Sequence, residues 1–352
     1  MTESRRHTWD RLFPDAPAYR FLQCEKALFT AGMKSWADVT ALPKDVRETL
    51  VREMPWWSVR PQHIYKSKRG DTYKAVLVGA DDRPFETVLM ENVRDQWTIC
   101  VSSQIGCAMR CTFCATGKMG LKRSLLADEI VDQMRFWRQF LANKPHLPQR
   151  ISNVVFMGMG EPLANYDAVK ETVNVWLRET DIGPTHITVS SVGVLVQLER
   201  LIDDPEWPPV RIAISLHSAN QQRREEIVPT TVPDFLKKLS AWSHRYQEHH
   251  GTRKHHVTYE YVLLEGVNDT PELAQELAQY IRTTGVSKVN LIPWNPVDKI
   301  SFERSTTDRI EQFVGILRGA GVEVTVRKTM GDDIDAACGQ LANTEASSTQ
   351  EV

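Results

Sequence analysis

From about residue 93 almost to its end, the chain alternates short apolar runs with longer amphipathic ones, and nothing else in it restricts the fold as much. The runs 98–103, 152–157, 186–190, 211–216, 257–263, 288–292 and 322–327 have the length and character of strands. The segments 126–142, 166–178, 194–202, 233–248, 271–283 and 306–319 have helix length. Within the first of these, Ile130, Met134, Trp137 and Leu141 recur at helical spacing and form one apolar face. Val154-Val-Phe-Met157 and Ile212-Ala-Ile214 are apolar without a break, as strands covered on both faces are. The succession predicts an α/β fold on a parallel sheet, either a full or partial barrel or an open doubly wound sheet. In each of these, ligands collect at the carboxyl ends of the strands.

Residues 1–92 read as a separate, smaller α+β unit. A helix is expected over 18–31 and a helical piece after Pro43. Short strands follow at 64–68, 73–78 and 86–90, parted by the turn clusters Arg69-Gly70-Asp71 and Asp81-Asp-Arg-Pro84. The main domain is expected over 93–343, and 344–352 is polar enough to remain a disordered tail. A chain of 352 residues can hold one large domain and one small one. No apolar run approaches the roughly 18 residues of a membrane span, and the first residues lack the apolar core of a signal peptide. A cytoplasmic protein with no membrane partner is expected. Six cysteines fit a reducing compartment. A net charge of −2 carries no global nucleic-acid signal, so RNA contacts would need local basic clusters.

Cys107, Cys111 and Cys114, spaced C-x-x-x-C-x-x-C, come directly after the first strand of the alternation. Three thiolates this close can converge on one soft centre. Structural zinc and electron-transfer clusters take four protein ligands, whereas three leave a position open for a substrate. The alternative is a zinc loop completed by a distant His or Cys. The other strand ends are also polar or glycine-rich. They carry Gly158-Met-Gly160-Glu161-Pro162, then Ser190-Ser191, then Ser215-Leu216-His217, then Pro293-Trp-Asn295-Pro296 and finally the run from Arg327 to Cys338. Singly, each would be an ordinary satisfied strand end. Together on one face they predict one active site.

Cys100-Val-Ser-Ser-Gln-Ile-Gly-Cys107, Phe113-Cys-Ala-Thr-Gly117, Gly158-Met-Gly-Glu-Pro-Leu-Ala-Asn165 and Asp332-Asp-Ile-Asp-Ala-Ala-Cys-Gly-Gln-Leu341 resemble the RlmN/Cfr family of radical S-adenosylmethionine RNA adenine methyltransferases. The resemblance covers most of the chain. It implies a partial (β/α)6 barrel with a small N-terminal accessory domain that binds RNA. Cys107, Cys111 and Cys114 would hold a [4Fe–4S] cluster whose fourth iron binds S-adenosylmethionine (SAM). Gly160, Glu161, Ser190, Ser215, Leu216, His217 and Asn295 would surround that cofactor, of which two molecules are used per turnover. The resemblance implies that Cys338 is methylated first and that its carbon then becomes bonded to the base. Cys100 would release the product by forming a transient disulfide with Cys338, and Glu86 would accept a proton. The implied substrate is carbon 2 of an adenosine in 23S rRNA near the peptidyl-transferase centre, extending to the adenosine 3′ to the tRNA anticodon. The implied reductant is a donor such as a flavodoxin.

Two alternatives stand beside this. One is the Cfr-like branch, which modifies carbon 8 and confers antibiotic resistance; Pro293-Trp-Asn-Pro296 and Arg327-Lys-Thr329 read more like the carbon-2 branch. The other is a non-catalytic, zinc-containing RNA-binding protein. Candidate RNA contacts are Lys66, Lys68 and Arg69; Lys118, Lys122 and Arg123; Arg223 and Arg224; and the basic run 253–256. Trp56-Trp57 could stack a base or belong to the core. Cys24 has no motif around it and reads as a buried helix residue.

Overall fold

The computed structural model describes residues 3–250, 257–286 and 288–342. The basic run 253–256 and the tail from 344 lie outside the described residues. The chain opens with helices α1 (Arg5–Leu12), α2 (Ala18–Phe29) and α3 (Lys44–Glu53). Ser4 caps α1 by accepting from the His7 N–H, and a proline precedes each of α2 and α3. These helices close over their own core of Trp9, Phe21, Cys24, Trp36, Leu50 and Met54. Cys24 is therefore packing, and burial pushes its thiol up to about 12.

Strands β1 (Arg60–Lys66), β2 (Thr72–Val78) and β3 (Pro84–Glu91) form an antiparallel meander, and β4 (Trp97–Cys100) pairs antiparallel with β3. The cysteine loop follows, with a short ribbon of β5 (Gln104–Ile105) and β6 (Arg123–Ser124) around helix α4 (Ala115–Met119). Beyond it the alternation is regular. It runs α5 (Ala127–Ala142), β7 (Ile151–Phe156), α6 (Tyr166–Glu179), β8 (Ile187–Ser191), α7 (Leu195–Asp203) and β9 (Arg211–Ser215). Then come α8 (Gln221–Ile227), α9 (Phe235–His250), β10 (Val257–Leu263), α10 (Pro271–Arg282), β11 (Lys288–Pro293), α11 (Thr307–Gly319) and β12 (Glu323–Val326).

One ten-stranded sheet contains all but the ribbon, in the order β1-β2-β3-β4-β7-β8-β9-β10-β11-β12. Every pairing from β4 onward is parallel. Six strand–helix units thus run from β4 to α11 and β12 follows as an edge strand, so the barrel is partial. The expected boundary at residue 92 does not coincide with a break in the sheet. Val88 pairs with Cys100 across it, and one apolar core extends from Val59 to Leu341. The separate core belongs to the helices before β1.

That helical unit is joined to the barrel by buried charge. Arg5 on α1 reaches Asp132 on α5 at 2.6 Å and the Trp56 carbonyl at 2.9 Å. The Arg135 guanidinium lies 4.1 Å from the Trp57 ring centre and 5.3 Å from that of Trp56. The tryptophan pair is thus occupied by a protein cation rather than presented to a base. Among the described residues, no helix is long and apolar enough to cross a membrane.

Candidate active site at the carboxyl ends of the strands

Cys107 and Cys111 are buried and Cys114 partly so. The loop they share is tied down on three sides. Trp294 Nε1 donates to the Phe113 carbonyl at 3.0 Å, Thr112 N to Ile227 O at 3.0 Å, and Ala115 N to Gly339 O at 2.8 Å. Burial pushes the Cys107 thiol up to about 12 and also raises Cys111 and Cys114, with neighbouring thiols adding to the first two. Three such thiols become thiolates readily only when a metal supplies positive charge. Among the described residues, no three His, Cys, Asp or Glu side chains are gathered tightly enough for a single metal ion. In an iron–sulfur cube each thiolate takes a different iron. Three closely spaced thiolates are the donor set that such a cube takes.

These cysteines open onto a cavity of about 150 Å³. Its walls also include Gly160, Glu161, Ser190, Ser215, His217 and Cys338. Gly160 has φ of 103°, and a Cβ there would stand 2.5 Å from the Gln104 side chain, so only glycine fits the turn. Glu161 is a strut between loops. Its two carboxylate oxygens accept from Leu163 N at 3.0 Å and Val192 N at 2.9 Å, and burial pushes the carboxyl up to about 7. The Ser190 and Ser215 hydroxyls, on neighbouring strands, are 3.4 Å apart.

His217 has φ of 58° and is buried, and burial followed by the charge of Arg224 lowers its imidazole to about 3. Its Nδ1 accepts from Val262 N at 3.1 Å, so the neutral ring carries its proton on Nε2. Phe113 meets that ring edge-on, with centroids 4.8 Å apart.

Two expected cofactor contacts stand elsewhere. Leu216 points away from the cavity into the core, because alternate residues of an extended chain face opposite sides. Only its backbone stays near the site, with its carbonyl accepting from Arg224 Nε at 3.0 Å. Asn295 borders a second cavity. There its amide donates to the Cys338 carbonyl at 3.2 Å and accepts from Thr329 Oγ1 at 3.0 Å.

Cys338, Met157 and Ile292 belong to the walls of both cavities; Cys100 belongs to the second. Cys338 is exposed to these spaces, although enough protein surrounds it that burial raises its thiol, opposed by Arg327. Cys100 is raised by burial and then by the neighbouring Cys338. Arg327 is held by Glu260 through two contacts of 3.2 Å, and Asn290 donates to the same carboxylate at 2.7 Å. The run bearing Cys338 begins at Gly331, whose φ is 68° and whose added Cβ would meet the Thr72 methyl at 2.7 Å.

Glu86 borders neither cavity. It is fully buried behind them, 3.0 Å from Lys74 Nζ. Its carbonyl accepts from Ser102 Oγ at 2.5 Å, and the Ser102 hydroxyl in turn accepts from Met159 N at 2.8 Å.

The basic clusters divide. Arg123 is consumed by Asp81 at 2.6 Å and Glu129 at 2.7 Å. Arg224 is buried and donates to Leu216 O, Val192 O and Thr231 Oγ1 while stacking on Phe235. Both spend their guanidinium on protein acceptors, and Arg223 pairs with Glu226 on the surface. Lys66 is half-buried over the Tyr73 ring. Lys68, Arg69, Lys118 and Lys122 are exposed on segments that touch the Cys338 run through Lys68 N and Ala115 N. The sequence reading missed Lys74, Glu260 and the apolar wall residues Met109 and Met157. Lys74 and Glu260 had one available signal, a lone charge inside an otherwise apolar strand.

The radical SAM superfamily model matches residues 101–279. Over 326 residues the chain is 40% identical to a Thermosynechococcus vestitus protein named "probable dual-specificity RNA methyltransferase RlmN", with 92% of each chain covered. It is likewise 40% identical, over 332 residues and 92% of each chain, to the "ribosomal RNA large subunit methyltransferase N" of Nitrosopumilus maritimus. The crystal structure of a radical SAM methyltransferase from Sphaerobacter thermophilus matches it with a TM-score of 0.85 at 37% identity, covering 96% of each chain.

Proposed function

For a chain that belongs to the RlmN family of radical SAM RNA methyltransferases, we propose that the methyl group is delivered through Cys338 to carbon 2 of an adenosine in 23S rRNA and in tRNA. The observation that carries this is the place of Cys338. It stands where the two cavities meet, in a run bonded to the cysteine loop on one side and with Cys100 as a neighbour on the other. Carbon 2 of adenine is electron-poor and has no nucleophilic lone pair, so it cannot simply displace a methyl group from a sulfonium.

Cys107, Cys111 and Cys114 would hold the [4Fe–4S] cluster, and Gly160, Glu161, Ser190, Ser215 and His217 would enclose SAM against it. When bound, that pair supplies an electrophilic methyl group and a hydrogen-abstracting radical. The protein's own part begins with Cys338, which carries the methyl carbon as a thioether. That carbon gives up one hydrogen atom to the radical and becomes bonded to carbon 2 of the adenine, and the adduct gives up one electron. Glu86, on the strand paired with that of Cys100 and behind the cavity wall in the free protein, takes the carbon-2 proton once substrate binding brings the base within reach of its carboxylate. The Cys100 thiolate then attacks the Cys338 sulfur, the bond from that sulfur to the transferred carbon breaks with its electron pair passing to the base, and that carbon takes up a proton, so the methylated base leaves. The resulting disulfide is transient and is reduced before the next cycle. Lys68, Arg69, Lys118 and Lys122 contact RNA phosphates, Asn295 positions the Cys338 run, and a flavodoxin-type protein serves as electron donor in the cytoplasm.

Carbon 2 is preferred over carbon 8 because the similar proteins carry RlmN names. Mass spectrometry of nucleosides after incubation with SAM, a reductant and 23S rRNA or tRNA fragments tests the proposal. The expected product is 2-methyladenosine, absent with Cys338→Ala. Formation of 8-methyladenosine instead, or turnover by Cys338→Ala, would overturn it.

A further inference from the structure

We propose that Lys74 is a positioning residue for methyl transfer: its buried ammonium joins the Glu86 carboxylate to the Asp335 carbonyl, fixing the proton acceptor against the run that carries Cys338. This rests on the assignment of Glu86 as proton acceptor. Lys74 lies in the middle of β2, where every residue is buried, and both it and Glu86 are 0% exposed. An ammonium there has three N–H groups to satisfy without water. The ammonium forms an ion pair with Glu86 Oε1 at 3.0 Å and donates to the Asp335 carbonyl at 3.3 Å, and the Tyr65 ring centre is 5.3 Å away.

Strand register brings these groups together. Lys74 pairs with Val88 and Val76 with Glu86, which makes Lys74 and Glu86 diagonal neighbours on one face of the sheet. Val88 also pairs with Cys100, so the resolving thiol shares that face. Asp335 is 261 positions away in sequence. It has φ of 51°, a left-handed conformation that a residue other than glycine holds only when its surroundings impose it. Two further contacts carry the same hairpin onto the same run. Lys68 N donates to Asp333 Oδ2 at 2.8 Å, and the Thr72 methyl lies so close to Gly331 that a Cβ there would stand 2.7 Å from it.

Stability alone does not account for the pair. Apolar side chains of similar volume would pack β2 against β3 at least as well as a buried ion pair does. What an apolar pair cannot do is give a buried carboxylate its counter-charge and at the same time bond to the backbone of the Cys338 run. The small sheet is thereby part of the catalytic apparatus as well as an RNA-facing element.

The test uses the full-length holoenzyme with Lys74→Gln, Lys74→Met and Lys74→Arg, and Glu86→Gln in parallel. Iron content, S-methylation of Cys338, RNA-linked protein and turnover are read for each. Lys74→Gln and Lys74→Met are expected to keep iron and a methylated Cys338, to lose about 100-fold in turnover, and to accumulate protein bonded to RNA. Lys74→Arg should recover part of the turnover. Near-normal turnover by Lys74→Gln would overturn the proposal. So would loss of Cys338 methylation in step with loss of fold in both neutral variants, because that is the behaviour of a packing residue. If Glu86→Gln stalls while the Lys74 variants do not, the role of Lys74 alone fails. If Glu86→Gln turns over normally, the proton-acceptor assignment fails first.

Discussion

At the scale of single residues, the site separates groups that react from groups that hold them. In the proposed reaction Cys338 and Cys100 react, while His217, Glu161 and Asn295 hold the loops around them. Cys100→Ala should leave S-methylation of Cys338 intact and trap RNA on the protein, visible as nuclease-sensitive extra mass on intact-protein spectra. His217→Leu removes the acceptor for the Val262 N–H in a buried position. It should cost about 1–3 kcal/mol in denaturant unfolding, the penalty of a buried donor left unpaired. These assignments differ in how far they could be read from sequence. The cysteine spacing and the Gly-x-Gly-Glu-Pro loop are local and were legible. That Leu216 faces the core and Glu161 spends both oxygens on backbone donors depends on which way each side chain turns, which no spacing states.

Among elements, the strand–helix series was legible because burial on both faces leaves a composition that no other arrangement shares. The observed limits of α5 to α11 mostly fall within two residues of those expected, with the short α8 unforeseen. What failed was the reading of buried cations as surface. Arg224 belongs to the amphipathic α8, and its sequence context is that of a solvated residue. In the fold it fastens the loops after β8 and β9 through Val192 O at 2.5 Å, Leu216 O at 3.0 Å and Ser215 O at 3.3 Å. Arg224→Met should destabilise the protein by about 3 kcal/mol or more, because several buried acceptors lose their donor together. A chemical denaturation midpoint would show it.

The seam between α2, α5 and α6 offers a second check. Glu171 keeps much of its surface exposed, yet the protein crowded around its carboxyl, then Asp128 and Glu25, push it from 4.5 up to about 7, with Asp10 acting the same way and Arg6 opposing. An acid whose folded value is raised holds its proton longer in the native state, so its contribution to stability is lost as pH rises from about 4.5 to 7. Glu171→Gln should flatten that loss, giving a melting temperature higher than the parent's at pH 7.5 and close to it at pH 5.

Over the whole molecule, the division into an accessory unit and a barrel is less sharp than composition suggests. Strands β1 to β3 extend the barrel's own sheet, and their hairpin clasps the segment that carries the reactive sulfur. That contact was not legible, because it pairs residues hundreds of positions apart and depends on a lysine and a glutamate disappearing into the interior. Gly331→Ala probes it directly. The added Cβ would crowd the Thr72 methyl and the Ala336 Cβ at a left-handed φ, at a cost of about 1–3 kcal/mol. Faster proteolysis between residues 328 and 342, with a matching fall in Cys338 methylation, is the expected result.

The same clasp orders events during synthesis. Lys74 leaves the ribosome 261 residues ahead of Asp335, a wait of roughly 13–50 s at ~5–20 residues per second. Throughout that interval the sheet can grow strand by strand, yet the reactive thiol has not been made and its seat stands open. If methyl transfer passes through Cys338, a growing chain has no means of carrying it out, and the chemistry is enabled only when nearly the whole barrel is there to contain it.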